Sequence, residues 1–170
     1  MMQIDLKEKY IIITPVRDEE AYVEKTIKSV VQQTIRPVEW VIVNDGSSDK
    51  TGNIIDKYAK QYSWIHTCHR ENRGFRKAGG GVIEAFYEGY NSLQSTDWNY
   101  IVKLDGDLSF DKDYFEKCLL EFQKNPKLGV GGGTIYNLVD TALIEEKNPA
   151  FHVRGATKIY KRECWNDIGE

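Results

Sequence analysis

The chain has 170 residues, 41% hydrophobic and 29% charged, which suits one packed domain over residues 1–170 and leaves too little for a second. A formal net charge of -3 and a pI near 5.7 lack the basic excess of a nucleic-acid groove, so no nucleic-acid partner is expected. Cys68, Cys118 and Cys164 form no CxxC pair; reduced thiols in a cytoplasmic setting are expected, not a disulfide frame or a zinc site. Residues 1–9 carry no apolar leader, and no run approaches the ~20 apolar residues of a membrane span.

Strands and helices alternate along the chain. Residues 10–13, a short continuous apolar run, predict a strand buried on both faces. Val23, Ile27, Val30 and Val31 repeat at helical spacing behind Glu19 and Glu20, with Arg36-Pro37 as the stop. Residues 38–43 predict the next strand. Residues 44–48 then form a turn with a candidate helix cap at Ser48, and Ile54, Ile55, Tyr58 and Ala59 mark a second helix. Residues 65–68 give a weaker strand, residues 70–77 a basic loop, and Ala78, Val82, Ala85, Phe86 and Leu93 a third helix. Residues 100–104 form a strand that runs into Asp105-Gly106-Asp107. Phe115, Cys118, Leu119 and Phe122 define a fourth helix that closes before Pro126. Beyond it, residues 128–136 read as a strand, 137–151 as an irregular linker, and 157–160 as a last strand.

This order predicts an α/β fold, a mostly parallel central sheet flanked by helices. In such sheets ligands bind beyond the carboxyl ends of the strands. The polar clusters 14–18, 44–48, 69–76 and 105–107 each follow a strand, so all four are expected on one edge.

Asp105 and Asp107 suit a divalent cation of the Mg²⁺ or Mn²⁺ type, which takes hard oxygen ligands and bridges carboxylate to phosphate. Alone, Asp-Gly-Asp reads as a solvated turn; its place on the shared edge favours the metal. Asp45 can accept a hydrogen bond from a base N–H or a ribose hydroxyl, or serve in a capped turn. Arg17 can meet phosphate or pair with Asp45, while Glu20 supports a helix start. The basic loop around Arg70, Arg73, Arg76 and Lys77, with Gly79-Gly80-Gly81 opening a helix, can flank a diphosphate. Gly129-Val130-Gly131-Gly132-Gly133 follows a helix instead of the first strand, which argues against a dinucleotide fingerprint. His66, His69 and His152 lack metal-ligand spacing, and the four tryptophans read as packing.

These segments resemble family-2 glycosyltransferases of the GT-A fold. Residues 13–20 (ITPVRDEE) are similar to the family's opening strand-turn, with Asp18 where Asn is usual; residues 29–34 (SVVQQT) resemble its helix end; and residues 39–51 (EWVIVNDGSSDKT) resemble its second strand and turn closely. Asn72-x-Gly74, Lys77-Ala78-Gly79 and Val102-x-Leu104-Asp105-Gly106-Asp107 parallel later family segments. The resemblance implies an inverting transferase that takes a sugar from a nucleotide-diphosphate donor, UDP-sugar favoured, to a glycan or lipid-linked acceptor hydroxyl, in cell-surface polysaccharide synthesis. It places Pro15, Arg17, Asp18, Glu19, Asp45, Ser47, Asn72, Gly74, Lys77 and Asp105 around the nucleotide, and Asp105 and Asp107 at the metal. The family's acidic general base follows a segment similar to residues 155–169. That position lies past Glu170, so the chain is expected to be an N-terminal piece that binds donor and transfers poorly, working in the cytoplasm or at the inner face of the membrane. Two other readings stand beside it: a non-catalytic nucleotide-binding module, and a nucleotidyltransferase, against which the glycine-free first loop counts.

Overall fold

The computed structural model describes residues 8–75, 80–149 and 151–168. A six-stranded sheet in the order β3-β2-β1-β4-β8-β5 forms its centre. β1 (Tyr10–Val16), β2 (Glu39–Asn44), β3 (Ile65–His69) and β4 (Tyr100–Leu104) run parallel. β5 (Val130–Gly131) and β8 (Thr157–Lys161) complete it, with β8 antiparallel to both β4 and β5. The expected mostly parallel sheet is therefore present, with an antiparallel edge.

Every residue of β1 is buried, as a strand covered on both faces requires. Its side chains alternate between two cores. Tyr10 and Ile12 point into a layer made by α1 (Val23–Val31), α2 (Thr51–Gln61) and α4 (Tyr114–Lys124), through Ile27, Ile55 and Phe115. Ile11 and Ile13 point into a second layer, where α3 (Gly80–Asn91) and α5 (Arg162–Ile168) supply Ala85, Phe86 and Trp165. Each helix thus buries one stripe against one face of the sheet. The tryptophans pack as the sequence indicates: Trp40 is fully buried beside Trp64, and Trp165 sits among Phe86, Tyr87, Tyr90 and Tyr160.

Three expectations need correction. The strand expected over residues 128–136 pairs with the sheet only at Val130–Gly131. Beyond it the backbone passes so close to its neighbours that a Cβ on Gly132 would lie 2.2 Å from the Thr157 carbonyl oxygen, and one on Gly133 2.5 Å from the Tyr114 ring. The expected linker contains a separate hairpin, β6 (Tyr136–Val139) and β7 (Ala142–Glu145), exposed along both strands. Its polar and apolar residues do not alternate, so strand periodicity was hidden. Ser48 does not cap α2. Its N–H donates to Asp18 Oδ1 at 2.7 Å, and Asp49 Oδ1 accepts from Thr51 N at 2.9 Å instead.

Candidate functional site

The carboxyl ends of β1, β2 and β4 open into one cleft of about 520 Å³. Pro15, Arg17 and Glu19 enter it from β1 and its turn, Asp45 from the end of β2, Arg73 from the basic loop, and Lys103, Asp105, Gly106 and Asp107 from β4 and its turn. Gly81, Val82 and Ala85 of α3 complete the wall. All four expected polar clusters therefore contribute to this cleft, the one at residues 69–76 through Arg73 of the basic loop.

The turn after β1 is locked to the turn after β2. Asp45 N donates to Val16 O at 2.8 Å, Asp18 N to Ser47 Oγ at 3.0 Å, and Glu19 N to Thr51 Oγ1 at 2.8 Å. Asp18 sits at φ 55°, left-handed backbone that Asp tolerates better than most residues. Its carboxylate is used by the Ser48 N–H and hydroxyl. Asp18 and Ser47 thus clamp the two turns and do not line the cleft. Glu20 supports a helix start, as expected, but that of α2: its Oε2 accepts from Lys50 N at 2.9 Å.

Arg17 lies across the floor. Its Nη1 donates to the Asp45 carbonyl oxygen at 2.7 Å and its Nη2 to Asn72 Oδ1 at 3.0 Å. The Asp45 residue is 6% exposed, and its two carboxylate oxygens accept from Arg70, at 2.7 Å, and from Arg73. Such a buried carboxylate needs cationic donors around it. The Nε–H of Arg73 is buried with no partner among the described residues, a donor available to a ligand oxygen. Asn72 Oδ1 also accepts from Gly74 N at 2.9 Å, so these two residues shape the basic loop and lie outside the cleft lining. Lys77 lies outside the described residues.

The Asp105 turn is held from three sides. Asp105 N donates to Ala156 O at 2.8 Å, Thr26 Oγ1 of α1 lies 2.8 Å from both Gly106 O and Leu108 O, and Lys103 Nζ bonds Asp105 and Gly155 O. Burial raises the Asp105 carboxyl above the ordinary aspartate range, Lys103 lowers it, and Asp107 raises it further. A partly desolvated carboxylate beside a second one gains from an added cation. Among the described residues no group of three or more His, Cys, Asp or Glu is gathered for a metal. Asp105 and Asp107 at an open cleft still fit an Mg²⁺-like ion, which usually binds through one or two carboxylates and fills its shell with water and phosphate oxygens.

Arg73 belongs to the basic loop expected to flank a diphosphate, whereas Lys103 was not singled out as a site residue on the sequence. Lys103 had a signal: it is the one charge in the strand Tyr100-Ile101-Val102-Lys103-Leu104. Glu163, an acid near the chain end, lies outside the cleft lining and pairs with Lys161 at 3.0 Å.

Residues 11–169 match the family model described as glycosyl transferase family 2. The chain belongs to this family. It is 32% identical over 122 residues to the uncharacterized glycosyltransferase EpsJ of Bacillus subtilis, a match spanning 72% of this chain and 33% of that protein. Among solved structures it resembles Staphylococcus aureus TarS 1-349 in complex with UDP, with a TM-score of 0.65, 18% identity, and coverage of 94% of this chain and 48% of that one. The mannosyltransferase PcManGT of Pyrobaculum calidifontis, in complex with GDP-Man and Mn²⁺, also superposes at 0.65, with 16% identity over 95% of this chain and 46% of that one. The family assignment removes the nucleotidyltransferase reading, and the structural likeness supports the expected GT-A fold. The family-2 chain spans about a third of EpsJ and about half of each of these two solved chains. No helix among its described residues is long and apolar enough to cross a membrane.

Proposed function

We propose that this family-2 chain binds a nucleotide-diphosphate sugar, UDP-sugar favoured, together with Mg²⁺ or Mn²⁺, as the donor half of an inverting glycosyl transfer to a glycan or lipid-linked hydroxyl. The carrying observation is the convergence of Arg17, Asp45, Arg73, Asp105 and Asp107 on one cleft at the carboxyl edge of the sheet. Among the described residues the lining carries three cationic side chains, Arg17, Arg73 and Lys103, and four anionic ones, Glu19, Asp45, Asp105 and Asp107. A diphosphate is repelled by that balance until a divalent cation reverses it.

In this reading Pro15, Arg17, Glu19 and Asp45 surround the nucleoside, and the buried Asp45 carboxylate accepts from a base N–H. Arg73, with its spare Nε–H, faces the phosphates. Asp105 and Asp107 hold the metal, which supplies Lewis-acid stabilisation of the departing diphosphate when bound. Lys103 fixes the Asp105 carboxylate and the segment at Gly155. The reading covers donor binding, with no residue of the chain assigned as general base, and places the protein in the cytoplasm or at the inner membrane face. Calorimetric titration with UDP-, GDP- and dTDP-sugars, with and without MnCl₂, tests it. Metal-dependent binding of the uridine donor is expected; absence of binding to all three overturns it.

A further inference from the structure

A chain of three polar side chains runs from α2 to the turn that carries Asp45, and none of them lines the cleft. Asn44, the last residue of β2, accepts from Ser47 N through Oδ1 at 2.9 Å. A backbone N–H only donates, so the amide orientation is fixed and Nδ2 is left on the other side. There it lies 3.1 Å from His69 Nδ1, at the end of β3. An amide nitrogen also only donates, so Nδ1 must present a lone pair. His69 Nε2 lies 2.8 Å from Asp56 Oδ1 on α2, an oxygen that also accepts from Thr67 Oγ1 at 3.0 Å. One imidazole form satisfies every contact: neutral, with its proton on Nε2. The first turn of α2 closes round the pair, since a Cβ on Gly52 would lie 3.0 Å from Asn44 Nδ2 and 3.6 Å from His69 Cε1.

We propose that His69 is a positioning residue for the donor site: neutral, it holds the Asn44 amide and through it the 44–47 turn that presents Asp45; protonated, it releases them. Addition of a solvent proton to Nδ1 sets an N–H donor against the Nδ2 donor of Asn44. If the amide turns over to offer Oδ1 to the imidazolium, Nδ2 then faces Ser47 N–H, donor against donor. Either arrangement loses one hydrogen bond. The side chain is 42% exposed, so protons reach it. The charged group facing it from α2 is Asp56; Arg70, the next residue, is turned to Asp45 and Glu84. Asn44 and Thr67 face the network as neutral groups. Loss of one neutral hydrogen bond under the turn corresponds to a drop in donor affinity of about tenfold.

This inference rests on the donor reading above, and the test separates the two. UDP is titrated in the presence of MnCl₂ at about pH 8 and about pH 5.5, on either side of the range where histidine charge changes. Wild type is expected to lose about tenfold more affinity at acid pH than His69→Ala, whose binding is weak at both. Asn44→Asp is expected to reverse the preference: one carboxylate oxygen accepts from Ser47 N–H and the other from the imidazolium Nδ1–H, so it binds better at acid pH. Parallel profiles for wild type and His69→Ala, or an unreversed Asn44→Asp, overturn the proposal. If wild type binds UDP at neither pH, the donor reading falls and the relay is read from wild type alone. Its imidazole ¹⁵N shifts are expected to show the Nε2–H tautomer at neutral pH, with a lower Ser47 amide protection factor, relative to the intrinsic exchange rate at each pH, on acidification. An Nδ1–H tautomer or an unchanged protection factor overturns it.

Discussion

Arg70 Nη1 donates to the Asp45 carboxylate at 2.7 Å, and its other terminal nitrogen lies 3.8 Å from Glu84 on α3. One guanidinium thus links β2, the end of β3 and the helix that walls the cleft. The carboxylate proposed to read the nucleobase is held by the loop proposed to face the phosphates. Removing one partner of a buried ion pair leaves the other uncompensated. Arg70→Met is expected to cost about 2 kcal/mol, less than a full buried pair because Arg73 remains on Asp45. In a urea-denaturation cycle with Asp45→Asn, a coupling of about 1–3 kcal/mol is expected. Additive effects would contradict the contact's energetic role.

Gly46 provides a second test. It sits at φ 71°, and a Cβ there would lie 2.6 Å from Asn72 Cα and 2.8 Å from Asn72 N and Glu71 O, all backbone atoms. Gly46→Ala must push the basic loop off the turn and is expected to cost about 2 kcal/mol and roughly 6 °C of Tm. Gly74 has a similar φ of 77° with nothing within 4 Å, so Gly74→Ala is expected to cost about half as much. Thermal melts of the two variants compare close approach directly with backbone strain.

The sign of the Asp105 shift gives a third. Its carboxyl is raised in the folded chain, chiefly by desolvation. Between the ordinary aspartate range and that raised value, the native state holds more proton than the unfolded state, so this group's contribution to stability falls as pH rises. Asp105→Asn keeps an oxygen for Lys103 and removes the partly buried charge. Without metal, the variant is expected to melt higher than wild type at neutral pH, with the gap closing as pH falls towards the ordinary aspartate range. The same variant is expected to bind UDP with Mn²⁺ more weakly. A gap that widens on acidification would contradict the desolvation argument.

A fourth concerns the core under the site. Trp40 Nε1–H donates to Thr14 Oγ1 at 2.9 Å, with both residues fully buried. Thr14→Val matches the shape but orphans the indole N–H, at a cost of about 1–3 kcal/mol. Thr14→Ser retains the hydroxyl and is expected to cost less. Equal losses in urea denaturation would show that the methyl, and not the hydrogen bond, matters there.

β1, β2 and β4 were legible because they are largely buried on both faces and read as mainly apolar runs, as in Tyr10 to Ile13, whereas the half-exposed β3, with its two histidines, gave a weaker signal. The cleft was legible because the edge rule turns strand order into spatial proximity, bringing Arg17, Asp45 and Asp105 together. Asp18 and Ser47 carried the right chemistry in the right segments, but their side chains bond across the two turns, and spacing does not reveal side-chain direction. The β6–β7 hairpin escaped because Leu138 and Val139 are adjacent, as are Leu143 and Ile144, which breaks the strand period. His69 was read as part of a polar cluster after a strand. Its partners, Asn44 and Asp56, lie on two other elements, so only the fold brings the three together.

The proposed donor site turns on Asp107, and one calorimetric comparison tests that proposal most directly: UDP titrated into wild type and Asp107→Ala, each with and without MnCl₂. Wild type is expected to bind UDP at least about tenfold more tightly with Mn²⁺, an enhancement of about 1.4 kcal/mol, and Asp107→Ala is expected to lose it. If Asp107→Ala bound UDP with Mn²⁺ as wild type does, the metal site assigned to the Asp105-Gly106-Asp107 turn would be wrong.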